Sequence, residues 1–299
     1  MSVSSTDQAW QQLHRAASAP YRHAGRFAWH FARGKLGRDP VFRGLLERGD
    51  LRAGGHVVDI GCGQGLLASL LQACHGAAAR HEWPASWPAA PIARAYTGIE
   101  LMPRDVARAQ AALAAPVKGG ATGPPTAAHF TAQFVCANLC EAALPPCDVV
   151  VILDVLHYVD HAAQADVLRR VRAALAGPAH AATQPGRLLL RVGDADSRRG
   201  FVISQWVDRA VTALRGHRLP PTGGRPLAGW IELLQGLGFA VRSVPMSRGT
   251  PFANVLLVAD VLADVLADAM ADVSADGQAR SPAAAPPAPH PSPRPALSP

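Results

Sequence analysis

Gly61, Gly63 and Gly65 stand at alternate positions just after Asp59, in the stretch Val57-Val58-Asp59-Ile60-Gly61-Cys62-Gly63-Gln64-Gly65. Glycines spaced this way remove Cβ atoms where a backbone must bend sharply and come close to a ligand. A helix starting behind them offers unpaired N–H groups to an anion. Other residues could carry chemistry alongside this cradle. Glu100 has two carboxylate oxygens that can accept from paired hydroxyls, and Asn138 offers both a donor and an acceptor. Asp154-Val155-Leu156-His157-Tyr158 gathers a carboxylate, an imidazole and a phenol within a few residues. His30 and Asp194 add two more groups able to hold or move a proton.

The elements that must position these residues follow from periodicity. Residues 56–60 include β-branched Val57, Val58 and Ile60 and fit a buried parallel strand, and from Leu66 onward apolar residues recur at helical spacing. That helix should end near Gly76. Trp83-Pro84 and Trp87-Pro88 then mark 76–91 as a loop, because proline fits no interior position of a helix or central strand. Residues 95–100 form the next strand, which closes on Glu100, and 104–114 the next helix. After a loose segment at 116–126, residues 133–137 read as a third strand. Residues 148–153 form a fourth, apolar enough to be buried on both faces. A helix over 162–176 carries Val167, Leu168, Val171 and Leu175 on one stripe. The fifth strand is 187–192, helices are expected at 201–214 and 227–237, and strands at 239–244 and 254–259 end the pattern without a crossover helix.

Alternating strands and helices closed by such a pair predict an α/β fold. It would be a Rossmann-like doubly wound, seven-stranded sheet, mostly parallel with one antiparallel edge strand. Residues 1–50 add an N-terminal helical cap rich in arginine and aromatics, in which Asp39-Pro40 suits a helix start. Residues 51–275 would form the main domain, and 276–299 a Pro/Ala-rich tail too poor in apolar area to order itself. Ligands of doubly wound sheets bind at the carboxyl ends of the strands, where Gly61, Glu100, Asn138 and Asp154 all fall.

With 299 residues and 49% hydrophobic content, the chain can bury one substantial core. Its five cysteines (Cys62, Cys74, Cys136, Cys140, Cys147) lack paired C-x-x-C spacing, which speaks against a disulfide framework or a metal site and for a reducing, cytoplasmic setting. The +7 charge is almost all arginine, scattered along the chain, and Lys35 and Lys118 are the only lysines, so nucleic acid is not an expected partner. The polar start lacks a secretory layout, and Asp260, Asp264 and Asp268 interrupt the apolar stretch near the C-terminus. No membrane segment is expected.

Glycine spacing alone does not separate a nicotinamide site from one for S-adenosylmethionine. The order acidic-x-Gly-x-Gly-x-Gly, with Asp59 two residues ahead of Gly61, resembles motif I of the class I S-adenosylmethionine-dependent methyltransferases rather than a dinucleotide fingerprint. The resemblance covers roughly residues 50–260. It implies that Gly61, Cys62, Gly63 and Gly65 pass beneath the methionine portion of the cofactor with Asp59 close by. Glu100 would take the ribose hydroxyls with Leu101 beside it, Asn138 and Leu139 would meet the adenine, and Asp154 would face the cofactor. For Asp59 the alternative is fixing the turn, and for Asn138 an ordinary turn role. The stretch from Asp154 to His157 resembles the D-x-L-H form of motif IV in small-molecule enzymes. The Asn/Asp-Pro-Pro-Tyr of enzymes that methylate DNA bases or protein amides is missing.

Methyl transfer from a sulfonium is thermodynamically driven, so alignment and water exclusion matter more than a dedicated base. For a phenol or carboxylate acceptor, His157, Tyr158, Asp194 or His30 could position or deprotonate it, while packing is the other role open to His157. Arg191, Arg248 and the cap arginines could hold an acidic substrate or stand as solvated surface charge. The segments HFARGKLGRDPVFRGLL, GIELMPRDVARA and GTPFANVLLVAD are similar to bacterial methyltransferases of aryl polyene pigment pathways. That likeness implies an aromatic acid or aryl-acyl acceptor and an acidic acyl carrier protein as partner. A short-chain oxidoreductase is excluded, because neither lysine follows Tyr21, Tyr96 or Tyr158 at the Tyr-x-x-x-Lys spacing. The second reading left open is a non-catalytic module that binds S-adenosylmethionine or a partner on the same fold.

Overall fold

The computed structural model describes residues 4–52, 55–114, 130–176, 184–193, 224–246 and 254–262. The helix expected at 201–214, the segment 116–126, Arg248 and its loop, and the Pro/Ala-rich tail lie outside these residues, as does Asp194.

The cap is helical, as its composition predicts. Helix α1 (Ser5–Ser18) is capped by the Ser4 side chain, which accepts from the Asp7 N–H, and runs into a 3-10 turn, Ala19–Arg22. Helix α2 (Arg26–Arg38) follows. Helix α3 (Pro40–Glu47) starts where Asp39-Pro40 implies: the Asp39 carboxylate accepts from the Val41 N–H at 3.1 Å, and Pro40, which has no N–H to leave unpaired, fills the first turn.

Strand β1 (His56–Ile60) leads through the glycine turn into α4 (Leu66–Ala79), one turn longer than Gly76 suggested. Then come β2 (Ala95–Glu100), α5 (Pro103–Leu113), β3 (Thr131–Cys136), β4 (Val149–Leu153), α6 (His161–Leu175), β5 (Arg187–Gly193), α7 (Leu227–Gly236), β6 (Phe239–Pro245) and β7 (Asn254–Val261). Among the described residues the sheet has seven strands in the order β3-β2-β1-β4-β5-β7-β6. Strands β1 to β5 are mutually parallel, and β7 is antiparallel to both β5 and β6. The antiparallel edge read from the sequence is therefore a β6/β7 pair in which β7 slots in beside β5 and β6 takes the rim.

Alternation along the strands divides the side chains between two faces. Val57, Val149, Val151, Leu189, Leu256 and Val258 share one core with Leu13, Leu45 and Leu67, so α1, α3 and α4 cover this face. The strand register places Asp59, Tyr96, Arg187 and Arg191 on it too. Val58, Val150, Ile152, Leu188 and Leu190 are equally buried on the opposite face, against α6. Each such aliphatic side chain contributes about 1.5–3 kcal/mol by leaving water, and the face-specific pattern holds every strand in register. The cap helices and the sheet belong to one compact unit ending at Leu262.

Candidate functional site

The chain reverses over β2 as it leaves β1. The N–H groups of Gly61 and Cys62 both donate to the Ile99 carbonyl, at 2.8 and 3.2 Å, and the Gly65 N–H donates to the Cys62 carbonyl at 2.9 Å. All three glycines have positive φ (76°, 54° and 71°) but serve different ends. A Cβ on Gly61 would come within 2.2 Å of Val155, and one on Gly65 within 2.8 Å of Phe134, so both are glycines because protein packs against them. A Cβ on Gly63 would meet nothing within 4 Å. Gly63 is thus the point where the main chain is bare towards open space, the condition for close approach by a ligand.

The tip of β2 is joined to this turn. Glu100 Oε2 accepts from the Gly63 N–H at 2.9 Å, and Oε1 accepts from the Met102 N–H at 2.9 Å. Each oxygen keeps a second lone-pair direction, and the side chain is half-buried, so the carboxylate can still accept from a pair of hydroxyls. Leu101, next to it, is 46% exposed. Helix α4 begins at Gly65 without a side-chain cap, which leaves its first N–H groups for an anion. A bare turn, uncapped N–H groups and a carboxylate at the neighbouring strand tip fit a ligand that carries both an amino-acid carboxylate and a ribose.

Asp59 is buried and accepts from the Tyr96 hydroxyl at 2.6 Å. Burial pushes its carboxyl up to about 7; the Tyr96 hydrogen bond opposes this and the nearby Glu100 charge adds to it. Its partner is thus a side chain beneath the turn. The register brings them together: Tyr96 pairs with Val57, and residues two apart on a strand share a face. Cys62 is buried, and desolvation pushes its thiol well above its ordinary value.

Gln64 is only 1% exposed, and neither side-chain amide atom has a hydrogen-bond partner among the described residues. Its main-chain carbonyl accepts from the fully buried Tyr21 hydroxyl at 2.8 Å, which fastens the cap to the glycine turn. Neither residue carried a motif. Asn138 is exposed after β3, with Oδ1 accepting from the Cys140 N–H at 3.0 Å and Nδ2 donating to Glu141 at 3.3 Å. The Leu139 carbonyl accepts from Arg170 at 2.7 Å. The Asn138 side chain is therefore engaged in its own turn.

Asp154 follows β4 with φ of 58°, a left-handed conformation rare outside glycine. Arg191 Nε donates to its Oδ1 at 2.9 Å and Nη2 to its Oδ2. Arg191 is 2% exposed, so the sequence reading of it as a substrate-holding or solvated surface charge is corrected: alternation along β5 turns it into the core face, where carboxylates take it up. One of these is Asp39 of the cap, at 2.5 and 2.8 Å. Burial alone would raise the Asp39 carboxyl, but Arg191 and Lys35 hold it well below the usual carboxylate range.

His157 and Tyr158 occupy a 3-10 turn, Leu156–Tyr158, both half-buried with ring centroids 4.2 Å apart. They adjoin the Asp154 end of β4. His30 is exposed on α2 and packs its ring on Trp29 at 4.7 Å.

A family model described as a methyltransferase domain matches residues 28–244. No curated protein sequence matches the chain. Among solved structures, the chain is similar to magnesium protoporphyrin IX methyltransferase from Synechocystis with bound SAH, at 18% identity and a TM-score of 0.48, over 85% of this chain and 100% of that one. It is also similar to an O-methyltransferase family protein from Burkholderia thailandensis, at 18% identity and a TM-score of 0.50, over 81% of this chain and 62% of that one. At such an identity the second likeness speaks to the fold alone. The matches do not reach the level of an aryl polyene pathway. With more than two thirds of its length inside the family model, the chain belongs to the class I methyltransferases, whose cofactor is S-adenosylmethionine.

Proposed function

We propose that this protein transfers the methyl group of S-adenosylmethionine to a small-molecule acceptor. The observation that carries the reading is the Glu100–Gly63 contact: one carboxylate braces the bare glycine turn and still has acceptor capacity for a ribose. In this reading the α4 N-terminus takes the methionine carboxylate, and Glu100 takes the ribose. Leu101, Asn138 and Leu139 flank the adenine, and Asp154 sets the floor near the sulfonium. The cofactor supplies the activated methyl group. The chain aligns the acceptor for in-line attack and keeps water out.

His157 and Tyr158, side by side next to Asp154, are the groups best placed to orient or deprotonate a phenol or carboxylate. His30 would act from the cap and Asp194 from beyond β5. An aromatic acid or aryl-acyl acceptor fits the aromatic and basic residues of α2. Arg22 and Arg33 lie over Trp29 at 5.3 and 4.9 Å, and α2 carries no acid, so an acidic acyl carrier protein is the partner that suits this helix. Five unpaired thiols suit a reducing cytoplasm. Among the described residues no helix is long and apolar enough to cross a membrane.

Calorimetry with S-adenosylmethionine and S-adenosylhomocysteine, followed by methyl-transfer assays over aromatic and carboxylic acceptors, tests the proposal. Micromolar binding of both nucleosides with turnover on at least one acceptor supports it. Binding without turnover on any acceptor would favour the non-catalytic module.

A further inference from the structure

We propose that Arg191 is a positioning residue that sets the helical cap and the tip of β4 as one unit, so that a cap carboxylate away from the cofactor turn, Asp39, controls how well the cofactor is held. The proposal rests on the S-adenosylmethionine reading of the glycine turn and extends it to residues outside that turn.

The guanidinium of Arg191 is buried between two carboxylates that stand far apart in the sequence. Nη1 and Nη2 reach Asp39 at 2.5 and 2.8 Å, while Nε and Nη2 reach both oxygens of Asp154. Lys35 closes the cluster on Asp39 at 2.7 Å, so two cations face two anions and the charge is balanced. Both carboxylates also hold backbone in place. Asp39 caps α3 through the Val41 N–H, and Asp154 is the residue on which the chain leaves β4 in a left-handed conformation. That conformation costs a non-glycine residue free energy and persists only where surrounding contacts over-determine it. Here the bidentate pair with Arg191 supplies them, together with the Asp154 N–H donating to the Arg191 carbonyl at 3.3 Å. The next residue, Val155, is the one a Cβ on Gly61 would strike at 2.2 Å. Any drift of Asp154 therefore moves Val155 against the glycine turn. A second tether, Tyr21 to the Gln64 carbonyl, joins the same cap to the same turn from the other side. Loss of the Asp39 contact would leave Arg191 buried with a single carboxylate, and the guanidinium would recentre on Asp154 and pull the β4 tip with it.

The experiment compares wild type, Asp39→Asn, Asp154→Asn and the double variant by calorimetry with S-adenosylmethionine, with near-UV circular dichroism to verify the fold. Asp39→Asn is the informative single change, because Asp39 lies on the cap and not at the cofactor turn. The expected result is at least threefold weaker binding for Asp39→Asn, and a double variant weaker by clearly less than the product of the two single losses, as for groups acting through a shared partner. Arg191→Lys, which keeps the charge but cannot grip two carboxylates, should behave like Asp39→Asn. Wild-type affinity in a folded Asp39→Asn protein, or single losses that multiply, would overturn the proposal even if melting temperatures fall. Failure of wild type to bind the nucleoside would instead count against the function proposed above.

Discussion

The carboxylate of Glu100 accepts the main-chain N–H of Gly63 at 2.9 Å, which links the tip of β2 to the turn after β1 across a parallel strand pair. Two sequence-distant motifs thereby become one structure. The acid that would clasp a ribose also shapes the bend above which the methionine portion would lie.

Glu100→Ala should weaken S-adenosylmethionine binding at least tenfold, about 1.4 kcal/mol, because it removes the acceptor pair and leaves the Gly63 and Met102 N–H groups unbraced. Glu100→Gln keeps a single acceptor oxygen and should fall between the two. Calorimetry measures both, and an unchanged affinity in folded Glu100→Ala would refute the ribose role.

The three glycines should respond differently to substitution. Gly61→Ala and Gly65→Ala place a Cβ against Val155 and Phe134 and should lower stability by about 1–3 kcal/mol in denaturant titrations without any ligand. Gly63→Val puts its Cβ where no protein atom lies within 4 Å, so its cost to the empty fold is mainly backbone strain of about 2 kcal/mol. Its main effect should be on the cofactor, with affinity down at least tenfold. Equal stability losses at all three positions would contradict the packing distinction.

Asp59 predicts a pH dependence. Its carboxyl holds its proton up to about 7 in the fold but loses it near 3.8 once unfolded. The native state therefore binds the extra proton between these values, and the contribution, full below the lower value, is lost as pH rises through 7. His75, whose burial lowers its pKa, acts in the opposite sense, so the difference between wild type and Asp59→Asn isolates the aspartate. Urea midpoints should show Asp59→Asn gaining on wild type from pH 5 to pH 8. A constant gap between the two proteins would show that Asp59 is ionised throughout.

Gln64 hides an amide without a hydrogen-bond partner among the described residues, which costs about 1–3 kcal/mol relative to an apolar side chain of the same shape. Gln64→Met should raise the melting temperature of the ligand-free protein. A fall would mean that the amide is satisfied within the folded chain.

The sheet could be read from the sequence because its signals are local. The apolar run of β4, the β-branched residues before Gly61 and the 3.6-residue stripe of α6 each report their environment within a few neighbours. The glycine turn and Glu100 were legible for the same reason, since bends and strand ends are marked by residue type at short spacing. Arg191 was not: it stands 152 positions from Asp39 with no pattern that pairs them, and an isolated arginine reads as surface charge. Tyr96 with Asp59, and Tyr21 with Gln64, were hidden likewise, because a tyrosine in an apolar setting shows its burial but not its hydrogen-bond partner. By itself, then, the sequence determined which elements form and which strand ends carry chemistry, through steric and hydrophobic preferences that act over one or two turns. Tertiary structure alone decided which buried charges and hydroxyls meet, because desolvation forces each polar group on the covered face to find a partner, and only the folded sheet brings candidates within reach.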